Sequence, residues 1–394
     1  MEDGCAALRY LIRQSKHARP DDLPTLVAAA GELLRAQESV LYLVDYDQRV
    51  LVPLLEAVPT HRETVRVDGT LAGRAFVDIA PQVTRTESSG TAWVPVLDGT
   101  DRLGVLEFVF PDGRDVVHEH VVADCFDVAG TVAELVVTNS PYGDYLERAR
   151  RRMGMSVPAE MQWAMLPPLT VVTPTIAISG VLEPTNEVAG DSFDYAINGE
   201  MAHVAVLDAM GHGMEATILA SVALGALRNG RRSGLDLVDA VRSADKFVAA
   251  QFGGDKFVTA LVGELDTARG VWRWITAGHP PALLVRKGRV VKSLEEVLDV
   301  PLGLDLVAPQ VGEEHLEPGD RLLIYTDGVV EARDAAGQFF GVERLVDLVF
   351  RHSAEGRPAS ETLRRLNQAV LEHQDGVLFD DATTMLVEWR GPGA

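Results

Sequence analysis

A carboxylate that closes a run of apolar residues stands at a strand end, where a rigid scaffold can fix it. Asp208 opens the turn Asp208-Ala209-Met210-Gly211-His212-Gly213 after the apolar run 202–207, and Asp327-Gly328 follows Leu322-Leu323-Ile324-Tyr325-Thr326. Gly190-Asp191 and Asp380-Asp381 bring the acidic positions to four, well separated in sequence. Carboxylates that converge repel one another and shift their pKa values unless cations hold them together. Hard ions such as Mg²⁺ and Mn²⁺ take oxygen ligands and keep several waters, so the set reads as a metal site assembled from distant parts of the chain. Taken singly, each piece also fits ordinary structure. Asp-Gly after a strand makes a turn, and paired aspartates such as Asp380-Asp381 sit well in solvent.

The elements that would hold these residues follow from periodicity. Strands are predicted over 202–207, 257–265, 271–276, 282–285, 321–326 and 383–389, and helices over 214–228, 235–251 and 360–373. The first helix is almost wholly apolar or small and is expected to be buried. Clustered strands with separate helices suit two antiparallel sheets flanked by helices, and argue against a wound nucleotide-binding fold, whose glycine fingerprint is also missing. Further upstream, a helix over 21–36 precedes strands at 40–44 and 50–54. A short helix opens at Gly69-Thr70, a hairpin turns at Asp98-Gly99, and a helix over 115–138 closes the region. That last helix carries an apolar stripe that serves either packing on its own domain or a dimer seam. Ser140-Pro141-Tyr142-Gly143 breaks it. The basic cluster Arg148, Arg150, Arg151 and Arg152 follows and is read as a solvated face. A short helix over 158–166, rich in Met and Trp, ends at Pro167-Pro168. Trp163 is its largest apolar group and the expected pivot of a packing switch.

The order and context of these pieces say more than any one alone. From 165 to 386 the chain resembles the bacterial sporulation-protein-IIE-like branch of the metal-dependent protein phosphatases, relatives of the type 2C serine/threonine enzymes. Seven stretches carry the resemblance, in the family's order. The first three are Met165-Leu166-Pro167-Pro168, Val188-Ala189-Gly190-Asp191-Ser192-Phe193-Asp194, and the Asp208 turn with its following helix. The others are Thr276-Ala277-Gly278-His279-Pro280-Pro281-Ala282, Pro301-Leu302-Gly303-Leu304, Tyr325-Thr326-Asp327-Gly328-Val329-Val330-Glu331-Ala332, and Asp380-Asp381-Ala382-Thr383.

The resemblance implies two Mn²⁺ or Mg²⁺ ions bridged by Asp208. Asp191 and the Ala209 carbonyl would hold one ion; Asp327 and the pair Asp380, Asp381 would hold the other, with Asp380 favoured within the pair. Asp208, Asp191 and Asp327 would be the catalytic carboxylates, and Asp194 would support the ligands from behind or serve the fold. Two departures stand out: Ala189 where the family usually has Gly, and Ala-Met-Gly-His-Gly where many relatives have Val-Ser-Gly-Lys-Gly. His212 is a leaving-group acid, a phosphate ligand or an exposed loop histidine, and His279 is expected to be structural. The N-terminal pattern resembles a GAF sensory domain. The implied architecture is α+β: a GAF-like α/β sensor over 1–140, a helical linker over 141–168, and a phosphatase domain over 169–394 built as an αββα sandwich.

Composition sets the outer bounds. A net charge of −22 argues against nucleic acid, whose backbone needs a basic surface, and equally against anionic membranes. Cys5 and Cys125 form neither a disulfide framework nor a metal-ligand spacing. The acidic Met1-Glu2-Asp3 start and the lack of an unbroken apolar span point to a cytoplasmic, soluble protein. The resemblance implies a phosphorylated anti-sigma factor antagonist as substrate, and leaves open a small ligand or protein at the GAF-like domain. Two other classes remain: a non-catalytic regulatory binding protein of the same fold, and a hydrolase of small phosphorylated metabolites.

Overall fold

The computed structural model describes residues 2–55, 62–86, 88–111, 116, 118–152, 154–183, 190–295, 300–306, 308–354, 357–375 and 380–393. Val188, Ala189, Asp115 and Val117 lie outside the described residues. The chain divides into two compact units, Met1–Gly154 and Met155–Ala394. Among the described residues, no helix is long and apolar enough to cross a membrane.

The N-terminal unit begins with α1 (Glu2–Gln14) and α2 (Leu23–Leu33), then β1 (Glu38–Val44), β2 (Val50–Leu54), β3 (Val65–Arg66) and α3 (Leu71–Asp78). β4 (Gln82–Arg85), β5 (Ser89–Asp98), β6 (Asp101–Pro111), α4 (Glu119–Asn139) and α5 (Tyr145–Arg150) complete it. Its strands form one antiparallel sheet in the order β3-β2-β1-β6-β5-β4. From Val40 to Val44, β1 is an unbroken apolar run because both faces of the sheet are covered. Leu41 and Leu43 pack with residues of α1, α2 and α4, whereas Tyr42 and Val44 pack with Phe76 and Ala75 of α3.

The basic cluster is not a solvated face throughout. The Arg150 guanidinium lies 4.6 Å from the Tyr46 ring centroid and its Nε donates to the Val44 carbonyl at 3.1 Å. Arg152 stands 3.9 Å from the buried Asp45. The cluster therefore fastens its segment to the β1–β2 turn, an arrangement that needs the long-range pairing and is invisible in a local charge run.

The C-terminal unit starts with α6 (Val157–Met165), β7 (Thr170–Val172), β8 (Ile176–Glu183), β9 (Asp191–Asn198) and β10 (Met201–Ala209). Helices α7 (Gly213–Arg232) and α8 (Leu237–Phe252) precede β11 (Val258–Asp266), β12 (Val271–Ala277), β13 (Leu283–Arg286), β14 (Arg289–Ser293) and β15 (Gly312–His315). β16 (Arg321–Tyr325), α9 (Asp327–Val330), α10 (Val342–Ala354), α11 (Ala359–His373) and β17 (Ala382–Trp389) follow. One sheet runs β15-β12-β11-β10-β9 and the other β14-β13-β16-β17-β8-β7, all antiparallel.

Alternation along the strands stacks four layers. Val204, Val206, Trp272 and Trp274 of the first sheet meet Ile178, Leu322, Ile324 and Met385 of the second. Ala205, Leu207, Ala260 and Ile275 face α7 and α8 on the outside. Leu323, Leu386 and Val285 face α10 and α11 on the opposite outside. The run 204–207 is apolar throughout because β10 is buried there on both faces. α7 is less buried than its composition suggests: Met214 and Ile218 are 39% and 42% exposed, while Ala216, Leu219, Ala220 and Ala223 pack inward.

Candidate metal centre

Side chains of a strand share a face at every second residue. Val204 and Val206 face the second sheet, so Asp208 does too. Asp191 stands directly opposite it in the β9–β10 register and shares its face with the inward Phe193. On the second sheet, Leu322 and Ile324 point inward, which puts Thr326 inward at the strand's end; Met385 and Val387 do the same for Thr383 and Asp381. The acidic positions therefore collect where the ends of four strands meet between the two sheets.

The hydrogen bonds lock this corner. Thr326 and Thr383 donate their hydroxyls to Asp191 Oδ2 at 2.8 and 2.7 Å, tying the first sheet to the second. Asp381 Oδ2 accepts from the Gly190 N–H at 2.9 Å, the Asp191 N–H at 3.4 Å and Gln162 Nε2 at 3.0 Å. Gln162, buried on α6, also donates to the Asp191 carbonyl at 2.7 Å. Two glycines are required by close approach. A Cβ at Gly190 would come within 2.7 Å of the Ala209 carbonyl oxygen, and one at Gly328 within 2.0 Å of the Asp381 carbonyl oxygen. Gly328 is thus more than a turn residue: its missing side chain lets the Asp327 and Asp381 segments touch.

The electrostatics are those of crowded like charges. Burial first, then Asp208 and Asp381, raise the Asp191 carboxyl well above the ordinary range, against the two threonine hydroxyls that lower it. Asp208 is pushed up to about 7 by burial and by Asp327, Asp380 and Asp381. Asp380 rises to about 6, mainly by burial and then by Asp327, Asp381 and Glu331, opposed by the Asp381 N–H. Among the described residues, no three acidic, histidine or cysteine side chains are arranged in ligand geometry around one point. The donors are nevertheless all oxygen and carry uncompensated negative charge, which is the chemistry a hard divalent ion satisfies. Asp191, Asp208, Asp327 and Asp380 fit that role, with the Ala209 carbonyl beside Gly190.

The remaining candidates resolve by burial. Asp194 is buried between Arg228, at 2.8 Å, and Arg231, at 2.8 Å, and Arg228 also caps α6 through the Met165 carbonyl at 2.7 Å. His279 is buried and pushed down to about 3 by that burial, so it is neutral. Its Nδ1 lies 3.1 Å from the Thr259 hydroxyl, which donates weakly to the Asp208 carbonyl at 3.4 Å. His279 therefore sits behind Asp208, linked to its carbonyl through the Thr259 hydroxyl. His212 is exposed at the N-cap position of α7. Sequence reasoning missed Gln162; a lone glutamine on a helix gives no periodic or motif signal of burial.

Residues 198–390, just under half of the chain, match the family described as stage II sporulation protein E (SpoIIE). The match takes in Asp208, Asp327, Asp380 and Asp381 and begins after Asp191. The chain is 23% identical over 235 residues to phosphoserine phosphatase RsbU of Bacillus subtilis, covering 59% of this chain and 69% of that protein. It is 28% identical over 168 residues to phosphoserine phosphatase RsbP of the same organism, covering 41% of each. Protein IcfG of Synechocystis is 24% identical over 241 residues, covering 54% of this chain and 38% of IcfG, so the chain spans well under half of IcfG and RsbP. Among solved structures, the RsbU and RsbW domains of Rv1364c from Mycobacterium tuberculosis align with a TM-score of 0.50 at 29% identity, over 57% of this chain and 64% of that one. The C-terminal unit is thus similar to the SpoIIE family and to the phosphoserine phosphatases RsbU and RsbP.

Proposed function

We propose that this protein is a divalent-metal-dependent protein serine/threonine phosphatase acting in sigma-factor regulation, with the N-terminal unit as its controlling sensor. The observation that carries the reading is the convergence of Asp191, Asp208, Asp327 and Asp380 from both sheets, with the raised carboxyls of Asp191, Asp208 and Asp380 lacking a lysine or arginine partner among the described residues. Asp208, opposite Asp191 and near Asp327 and Asp380, would be shared by two divalent ions, with Asp191 and the Ala209 carbonyl holding one and Asp327 and Asp380 the other. Asp381, tied by Gly190 and Gln162, holds the corner together instead. Paired divalent ions acidify a shared water and neutralise phosphoryl oxygens during in-line displacement. The protein's own part is to fix the carboxylates through Thr326, Thr383 and Gln162, and to leave the exposed Asp327 side open for the phosphorylated residue. Names such as phosphoserine phosphatase for RsbU and RsbP support a phosphoserine or phosphothreonine protein as substrate, and an anti-sigma factor antagonist is the proposed partner.

The domain plan proposed is sensor 1–140, linker 141–168 and phosphatase 169–394, with a GAF-like ligand or protein site in the sensor. Purified protein should release phosphate from p-nitrophenyl phosphate and from a phosphoserine-bearing antagonist protein with Mn²⁺ or Mg²⁺, and not with EDTA. Binding of the antagonist without any metal-dependent release would instead mark a non-catalytic regulator, and turnover of small esters alone a metabolite hydrolase.

A further inference from the structure

A cleft of about 480 Å³ opens beside the candidate centre and is lined by Asp327 and Asp380. Its other polar lining is uneven. Glu331 and Asp334 add negative charge, and Arg333 is the one cation. Arg333 has no carboxylate partner among the described residues; its guanidinium lies 4.5 Å from the Phe339 ring centroid instead. Stacking fixes the plane of a guanidinium and leaves its edge donors available for a bidentate anion.

The hairpin that presents it is firmly built. Arg333 and Phe339 pair as an isolated antiparallel bridge. Asp334 Oδ1 accepts from the Ala336 and Gln338 N–H groups at 2.9 and 2.8 Å, and the Phe340 N–H donates to the Ala332 carbonyl at 2.7 Å. His373 of α11 braces it from behind, 3.0 Å from the Gln338 carbonyl.

A second, independent feature lies in the same lining. Gln374 is 7% exposed, and its Oε1 is buried with no hydrogen-bond partner. A buried amide oxygen without a donor is costly, and such groups mark places where a ligand completes the bonding.

Resting on the phosphatase reading above, we propose that this cleft is the recognition subsite for the phosphorylated segment of a protein substrate. Arg333 pairs with the phosphoryl oxygens as they approach Asp327 and Asp380, and Gln374 Oε1 accepts a main-chain N–H of the same segment. The surrounding carboxylates repel any anion that does not reach Arg333, which selects for a phosphoryl group over a plain acidic side chain.

The test uses the full chain with Mn²⁺ and a fluorescent peptide carrying the non-hydrolysable phosphonate analogue of phosphoserine, beside its serine counterpart. Anisotropy should show the wild type binding the phosphonate peptide in preference. Arg333→Ala should weaken that binding by about tenfold or more, with Arg333→Lys recovering part of it. In parallel, Arg333→Ala should raise KM for p-nitrophenyl phosphate and for a phosphoseryl peptide, and Gln374→Leu should raise KM more for the peptide. Wild-type turnover checks the phosphatase reading separately, because the binding comparison is read without catalysis. Equal binding of the two peptides by the wild type, or unaltered phosphonate binding by Arg333→Ala, overturns the subsite. Arg333 is exposed, so its substitution does not threaten the fold. A melting curve on Gln374→Leu verifies that any loss there is local.

Discussion

In the N-terminal unit the buried Glu107 meets a cation, whereas in the C-terminal unit Asp191 and Asp208 meet other carboxylates. Glu107 is 5% exposed, with Arg62 at 3.1 Å and the Tyr42 hydroxyl at 3.3 Å. Its carboxyl is still raised, because burial outweighs Arg62, but the protein supplies the opposite charge itself. Asp191, Asp208 and Asp380 are raised by burial together with one another and Asp327, and no lysine or arginine among the described residues pairs with them. The first arrangement is complete within the fold. The second is tolerable only when protons or cations from solution offset it. The contrast separates a buried charge that serves structure from a cluster held ready for a ligand.

The sharpest way to break the contrast is to remove one charge from each side. Asp208→Asn keeps the side chain's shape and should lower metal-dependent turnover by two orders of magnitude or more, since the residue faces Asp191 and is near both Asp327 and Asp380. Glu107→Gln should leave turnover per folded molecule within about twofold, because it alters only a pair internal to the other unit. Near-wild-type turnover by Asp208→Asn would remove the metal assignment.

Stability against pH gives the next largest difference. The raised folded values of Asp208, about 7, and Asp380, about 6, mean that the metal-free unit binds protons more tightly than its unfolded chain. Their favourable contribution is therefore complete below about pH 4 and is lost as pH rises through 6 and 7. Metal binding needs the ionised carboxylates, so it gains over the same range. Thermal melts with EDTA and with excess Mn²⁺ should accordingly lie close together at pH 5 and separate by roughly 5–10 °C at pH 8. A gap that stayed constant with pH would place the metal effect elsewhere.

How far the chain announced this site differs from residue to residue. Asp208 and Asp327 were legible because apolar runs lead straight into them, and Asp380-Asp381 because the family order frames them. β9 was not, since buried Ser192, Asp191 and Asp194 interrupt it with polar residues, two of which, Asp191 and Asp194, are satisfied by partners distant in the chain. In the 158–166 helix Trp163 is the large apolar group, yet it is half-buried and Gln162 is the side chain that enters the corner. Composition registers size and hydrophobicity; it does not register a donor that is buried because two acceptors wait for it.

That difference makes Gln162 a finer probe than Trp163. Gln162→Ala removes the bonds to the Asp191 carbonyl and Asp381 Oδ2 and leaves both acceptors buried, a cost of about 1–3 kcal/mol. Turnover should fall about tenfold, with weaker metal dependence of the melt, because Asp381 loses one of the donors that fix it. An unchanged metal titration would confine Gln162 to packing.

The smallest effect expected lies on the self-contained side of the comparison. Arg62→Met removes the cation from Glu107 and leaves it facing the Tyr42 hydroxyl. Arg62 is itself partly open to solvent, at 27% side-chain exposure, so the loss should be moderate, about 1–2 kcal/mol. The protein relieves it by protonating Glu107. The folded carboxyl, already raised, rises further once Arg62 is gone, so the variant should be closest to wild type in acid and fall behind as pH climbs. Mn²⁺ should not recover the difference, because a single carboxylate beside a tyrosine offers no multidentate site. Denaturant melts of Arg62→Met at pH 5 and pH 8, each with EDTA and with Mn²⁺, decide the matter. Rescue by Mn²⁺ would show that the two units do not divide their buried charges in the way Glu107 and Asp208 suggest.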